Sequence, residues 1–159
     1  FKDEEVSPII PAHIEKGFKF FVDQTKVTGR WDRIDEEAGK AKVIDYKSSN
    51  VTTQKKADEQ TGKSLQLSIY ALAYREQHGA VPDSVELHFL DTGLIGRAKK
   101  TDKDLEKTLT QIREVADGIR AGDFTAMPSY MACQYCAYNQ ICPYTGFGKG
   151  KAGGGASET

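Results

Sequence analysis

The sequence predicts an α/β (α+β) domain, a mixed β-sheet flanked by helices, from three observations. Near the start, apolar residues recur at every second position, the period of a half-buried strand. Further on, the spacing changes to three and four residues, which belongs to helices. The two patterns then alternate once more, giving strands first and afterwards helix, strand and helix. The chain has 159 residues, of which 38% are hydrophobic and 28% charged. That composition supports one core and leaves no room for a second full domain. No internal repeat occurs.

Ile14, Phe18, Phe20 and Val22 lie on alternate positions and predict the first strand, closed by a turn at Asp23 to Thr25. Val27 to Ile34 is the second strand. The polar connection Glu36 to Lys40, which carries Gly39, is of hairpin type and leads into a third strand over Ala41 to Tyr46. Ser48 to Lys63 shows no clear period and is expected to be mostly a mobile loop. From Ser64 a helix follows, with Leu65, Ile69, Leu72 and Ala73 on one stripe and Gly79 as its stop near His78. Pro82 and Asp83 turn the chain into a strand at Val85 to Leu90, and Leu94 to Ala98 returns as a short edge strand. Thr101 or Asp102 caps a long helix ending near Gly122, with Leu105, Leu109, Ile112, Val115, Ala116 and Ile119 as its buried face. The segment after Pro128 is short, aromatic and cysteine-bearing, and the Gly-rich tail over 146–159 is disordered by composition.

Lys and Arg number 22 against 23 Asp and Glu, for a net charge of −1, so no whole-molecule positive field argues for nucleic acid. A phosphate-binding face would have to be local. Lys55, Lys56 and Lys63 form one cluster and Lys99, Lys100 and Lys103 another, each equally well read as solvated surface. No apolar run reaches the roughly 18 to 20 residues of a membrane span, and nothing resembles a signal peptide. A cytoplasmic protein is therefore expected. The chain opens on Phe1 rather than Met, which reads as a fragment of a longer polypeptide.

The chemistry-bearing pieces are G-R-W-D at Gly29 to Asp32, D-Y-K at Asp45 to Lys47, and Q-x-x-x-Y at Gln66 and Tyr70. On a strand, positions two apart share a face, so Asp45 and Lys47 project to the same side. Pairing of the second and third strands would bring Asp32 beside them. Two carboxylates with one ammonium suit phosphodiester hydrolysis, because hard cations such as Mg²⁺ select carboxylate and carbonyl oxygens and keep several waters. Lys47 would stabilise developing negative charge. Gln66 and Tyr70, four apart, face the same side of their helix and could touch Lys47. An Asp and a Lys two apart are also a common exposed ion pair. Against that, Asp45 follows Val43 and Ile44 in a run that reads as a buried strand, where an unpaired carboxylate is costly. Asp35 points to the opposite face from Asp32 and is read as structural.

This ordered set, G-x-x-D, a gap of a dozen residues, D-Y-K and Q-x-x-x-Y, resembles the PD-(D/E)XK nuclease superfamily, in particular its RecB-like group of helicase–nucleases and CRISPR-associated exonucleases. The resemblance runs from about Glu15 to Cys142 and implies a restriction-endonuclease-like fold over residues 1–145, lacking an N-terminal helical segment. It places metal binding (Mg²⁺ or Mn²⁺) on Asp32, Asp45 and the main-chain carbonyl of Tyr46. The catalytic lysine is then Lys47, and Gln66 and Tyr70 form the supporting motif. Glu15 resembles an acid often found before the first strand, and His13 is left incidental. The implied function is a metal-dependent DNA nuclease, an exonuclease domain from a helicase–nuclease or repair protein, with DNA as substrate and a helicase domain or subunit as partner. The rival readings are a non-catalytic DNA-binding or scaffolding module of the same fold and a zinc-dependent RNA-processing protein.

Cys133, Cys136 and Cys142 read C-x-x-C-x-x-x-x-x-C, and the two-residue gap lets both thiolates reach one metal. Zinc and buried free thiols are the alternatives. By resemblance they are three ligands of a structural [4Fe–4S] cluster whose fourth cysteine is absent from this chain.

Overall fold

Three strands come first, as the two-residue period predicts. In the computed structural model, which describes residues 10–146, they are β1 (His13–Val22), β2 (Thr25–Glu37) and β3 (Lys40–Lys47). Phe18, Phe20 and Val22 turn inward together. Ile14 does not: it is exposed, because Glu15 adopts left-handed backbone (φ 51°) and breaks the alternation. In β2 both Trp31 and Ile34 are fully buried although they lie three apart, so the strand changes its inward face between them. The β2–β3 connection is tight, with Ala38 (φ 49°) and Gly39 (φ 75°) both left-handed, as a two-residue type I′ hairpin requires.

The sheet has the order β1-β2-β3-β4-β5, with β4 (Ser84–Phe89) parallel to β3 and every other neighbour antiparallel. A parallel pair needs a crossover. It is supplied by α1 (Gln54–Lys63) and α2 (Leu65–His78), after which β5 (Ile95–Ala98) forms the far edge. The helix α1 corrects the expectation of a mobile loop over Ser48 to Lys63. Its buried face consists of Ala57 and Thr61 alone, residues too small or too polar to register as a hydrophobic period. Thr53 caps it, its hydroxyl accepting from the Lys56 amide.

Ser64 caps α2 and Gly79 (φ 76°) ends it in left-handed backbone, as expected. The apolar stripe is shifted, however. Leu65 is exposed, while Leu67, Tyr70, Ala71, Leu72, Ala73 and Tyr74 are buried. The last long helix, α3 (Asp102–Ala121), begins with a reciprocal cap in which Thr101 and Asp104 exchange side-chain-to-amide bonds of 2.9 and 3.3 Å. Leu105, Leu109 and Ile112 join the core, whereas Val115 and Ile119, expected on the same face, are exposed. That core is centred on Trp31, Ile34, Val43, Leu67, Leu72, Val85 and Phe89.

The described residues divide into two compact units, 10–117 and 118–146. The second holds α4 (Tyr130–Gln134), capped by Ser129, with Tyr135 and Tyr138 exposed. The Gly-rich stretch 147–159 lies outside the described residues. Among the described residues no helix is long and apolar enough to cross a membrane.

Candidate active site

The β2–β3 ladder runs from Glu37↔Lys40 to Arg33↔Ile44. Beyond it the two strands part, and the amide N–H of Tyr46 donates not to backbone but to Asp32 Oδ2, at 3.0 Å. The carboxylate of Asp32 thus fills the opening between the strands, and its charge reaches Asp45. The second acid stands on the central strand, between β2 and β4, and is 1% exposed.

Asp45 Oδ1 accepts from Gln66 Nε2 at 2.8 Å. Lys47 Nζ stands 2.7 Å from Asp45 Oδ2 as a close ion pair, and no other group reaches that buried oxygen. Burial pushes the Asp45 carboxyl above the usual range; Lys47 pulls it back in part, and the charge of Asp32 adds to the rise. The shared face of Asp45 and Lys47, inferred from a two-residue period, is therefore present.

Gln66 joins the groups. Its Oε1 accepts from Lys47 Nζ at 2.7 Å, and its Nε2 donates to Asp45 Oδ1 and to Tyr70 Oη at 2.8 and 2.9 Å. Chemistry fixes the amide's orientation: an ammonium can only donate and a carboxylate can only accept, so oxygen must face Lys47 and nitrogen Asp45. Tyr70 is buried, and burial followed by the charges of Asp45, Asp32 and Glu15 pushes its pKa up against the opposing bond from Gln66. It stays a neutral hydroxyl in this acidic setting.

An aromatic platform backs these residues. Trp31 Nε1 donates to the Tyr70 carbonyl at 3.2 Å, tying β2 to α2, and Phe18 packs on Trp31 and edge-on to Tyr70 with ring centroids 4.8 and 5.7 Å apart. The glycine of G-x-x-D is needed for space: a Cβ on Gly29 would stand 2.4 Å from the Phe18 ring. Trp31 stands inside the G-R-W-D motif yet carries no chemistry of its own. An aromatic beside an acid on a strand was the available signal.

The remaining residues fall outside this network. The Tyr46 ring points to the other side of the sheet, edge-on to His88, so only its main chain borders the site. Asp35 is buried in a two-pronged pair with Arg33 at 2.7 and 3.0 Å, structural as expected. Glu15 pairs with Arg30 at 2.8 Å in solvent, and His13 contacts Lys16. Lys100, read as surface, is buried.

The donor set suits a hard divalent cation: the buried Oδ2 of Asp45, which only Lys47 reaches, and the carboxylate of Asp32 offer anionic oxygens, and waters can complete such a shell. Among the described residues no group of three or more His, Cys, Asp or Glu could hold a metal ion. Cys133, Cys136 and Cys142 are free thiols, and Cys133 Sγ accepts from the Gly146 amide at 3.2 Å.

The sequence profile of the PD-(D/E)XK nuclease superfamily matches residues 1–143. No curated protein matches significantly. Among solved structures, the chain is similar to the crystal structure of SSO0001 with a TM-score of 0.53 and 21% identity, which speaks to fold alone. The alignment covers 82% of this chain and 60% of that one.

Proposed function

The chain belongs to the PD-(D/E)XK nuclease superfamily, and from that premise we propose that it is a Mg²⁺- or Mn²⁺-dependent deoxyribonuclease. The observation that carries this is the buried, donor-poor carboxylate of Asp45 held against Lys47 by the Gln66 amide, with Asp32 in the adjoining gap. Asp32, Asp45 and the Tyr46 carbonyl would hold the metal. When bound, such an ion supplies a Lewis acid for the scissile phosphate and a water of lowered pKa.

The chain's own groups do the rest. Lys47 presents its ammonium to the charge that develops on the phosphate, and Gln66 holds that ammonium in place beside Asp45. Tyr70, neutral and buried, accepts from Gln66 and fixes the amide's far end. The same reading extends to an exonuclease or end-processing domain of RecB-like type that works beside a helicase in recombination or repair; the order of its motifs supports this. The cysteine run supports a structural metal centre through its spacing, with a ligand from outside these three.

The test is incubation with single- and double-stranded DNA, with Mg²⁺ or Mn²⁺ and with chelator. Cleavage is expected only with metal, and Asp45→Asn and Lys47→Ala are each expected to lower its rate at least about 100-fold while the circular dichroism spectrum is kept. Undiminished cleavage by both variants would refute the assignment. DNA binding without cleavage would favour the non-catalytic module.

A further inference from the structure

Lys100 fits neither a phosphate-binding patch nor a solvated surface, being only 7% exposed. Its Nζ donates to three main-chain oxygens, those of Thr61 at 3.3 Å, Gly62 at 2.8 Å and Ser64 at 3.1 Å. An ammonium has three protons, and all three are taken. Burial pulls the Lys100 pKa below its ordinary value, with Asp104 opposing.

The three oxygens mark one place, the elbow between α1 and α2. Thr61 and Gly62 belong to the last turn of α1, where a cation suits the helix dipole, and the Thr61 carbonyl also accepts from the Ser64 amide at 3.3 Å. Ser64 alone joins the helices: it closes α1, and its hydroxyl caps α2 by accepting from the Leu67 amide at 3.2 Å. A second grip comes from β5. A Cβ on Gly96 would meet Thr61 Oγ1 at 2.2 Å and the Ala57 carbonyl oxygen at 2.3 Å, so α1 rests directly on that strand's backbone. Gln66 lies in the first turn of α2 and moves with the elbow.

We propose that Lys100, together with Gly96, clamps the α1–α2 elbow and thereby sets the reach of the Gln66 amide to Asp45 and Lys47. Lys100 is a positioning residue for the site and touches no substrate. The bonds it controls, 2.7 to 2.9 Å long, tolerate shifts of only a few tenths of an ångström, and a misplacement of about 1 Å can cost about 100-fold in rate. The clamp rests on the nuclease reading for its rate measurement but not for its geometry.

Two readouts test it in the full chain. In steady-state DNA cleavage, Lys100→Met is expected to lower kcat about tenfold or more with KM changed less than about twofold, and to cost less than about twofold when Gln66 is already alanine. An equal loss in both backgrounds would make Lys100 merely structural and overturn the proposal. In ¹H–¹⁵N spectra, the Gln66 side-chain amide, identified by its loss in Gln66→Ala, is expected to shift in Lys100→Met. The Gln54 amide, bonded to Asp58 and the Ile95 carbonyl at the other end of α1, is expected to stay. An unmoved Gln66 amide also overturns the clamp. If the wild type cleaves no DNA, the nuclease reading fails and the spectra still decide. Where Lys100→Met does not fold, Lys100→Gln, which keeps two amide protons for the carbonyls, carries both readouts.

Discussion

Gly96→Ala and Gly62→Ala make the same chemical change in neighbouring elements and are expected to have opposite signs. At Gly96 the new methyl would lie 2.2 Å from Thr61 Oγ1, 2.3 Å from the Ala57 carbonyl oxygen and 2.6 Å from the Ala57 carbonyl carbon. Two of those atoms are helix backbone, so no side-chain rotation relieves the contact. To reach ordinary separation α1 must retreat by about 1 Å along its whole length, against the packing of Ala57 and Thr61. Overpacking of this kind costs about 3 kcal/mol, the upper end of the usual range, because the yielding group is a helix and not a side chain. Gly62 is exposed within the same helix, and a Cβ there would meet nothing within 4 Å. Relief of backbone entropy then stabilises by about 0.5–1 kcal/mol. For a chain of this size each kcal/mol moves the melting temperature by about 2–4 °C. Thermal unfolding followed at 222 nm is therefore expected to place Gly96→Ala roughly 6–12 °C below the wild type and Gly62→Ala a few degrees above it. A Gly96→Ala variant within 2 °C of wild type would show that α1 does not rest on β5 and would remove one grip of the proposed clamp.

Gly29→Ala is expected to lie between those cases, at about 1–2 kcal/mol, since its obstacle is the Phe18 ring, a side chain that can tilt; in a Phe18→Leu background most of that cost is expected to vanish in a double-mutant cycle by urea unfolding. Tyr74, buried and donating to Glu36 Oε1 at 3.0 Å, has its pKa pushed up to about 12 by burial and then by that carboxylate. Its contribution is fully present below pH 10 and is lost as pH rises through about 12, so Tyr74→Phe is expected to cost about 1 kcal/mol near neutrality and less at pH 12, read from denaturant midpoints across that window.

Much of the sheet was legible because its strands carry large apolar residues: Phe18, Phe20 and Val22 are buried where alternation puts them, and Val43, Ile44 and Val85 are buried within apolar runs. The Asp45–Lys47 pair followed from the same rule, and the Gln66–Tyr70 pair from the helical one. The misses share a cause. The helix α1 buries only Ala57 and Thr61 because it lies so close to β5 that nothing larger fits, and a close approach of backbones leaves no hydrophobic signal in sequence. Lys100 looks like any lysine in a basic run until three carbonyls gather about it from residues nearly forty positions away. Leu65, Val115 and Ile119 obey the right period yet are exposed, since periodicity marks a face and not its cover.

The site lies where several local rules fail at once. β2 changes its inward face between Trp31 and Ile34, the β2–β3 ladder stops at Arg33↔Ile44, and Asp45 keeps a buried carboxylate oxygen that only Lys47 reaches. Each feature costs free energy, and such departures gather where function overrides the packing optimum. They are also mutually dependent. Asp32 can turn its carboxylate into the gap only because the ladder has ended, and it then satisfies the Tyr46 amide that the missing strand pair leaves open. Asp45 is held beside that gap by the parallel ladder to β4, where it pairs with Leu87. Lys47 on the same strand offsets the charge of Asp45, Gln66 of α2 ties the two groups together, and α2 is anchored by Trp31 on one side and by the elbow on the other. The strained acid pair therefore persists through contacts remote from it in sequence, and loosening either anchor is expected to act on the acids before it acts on the fold.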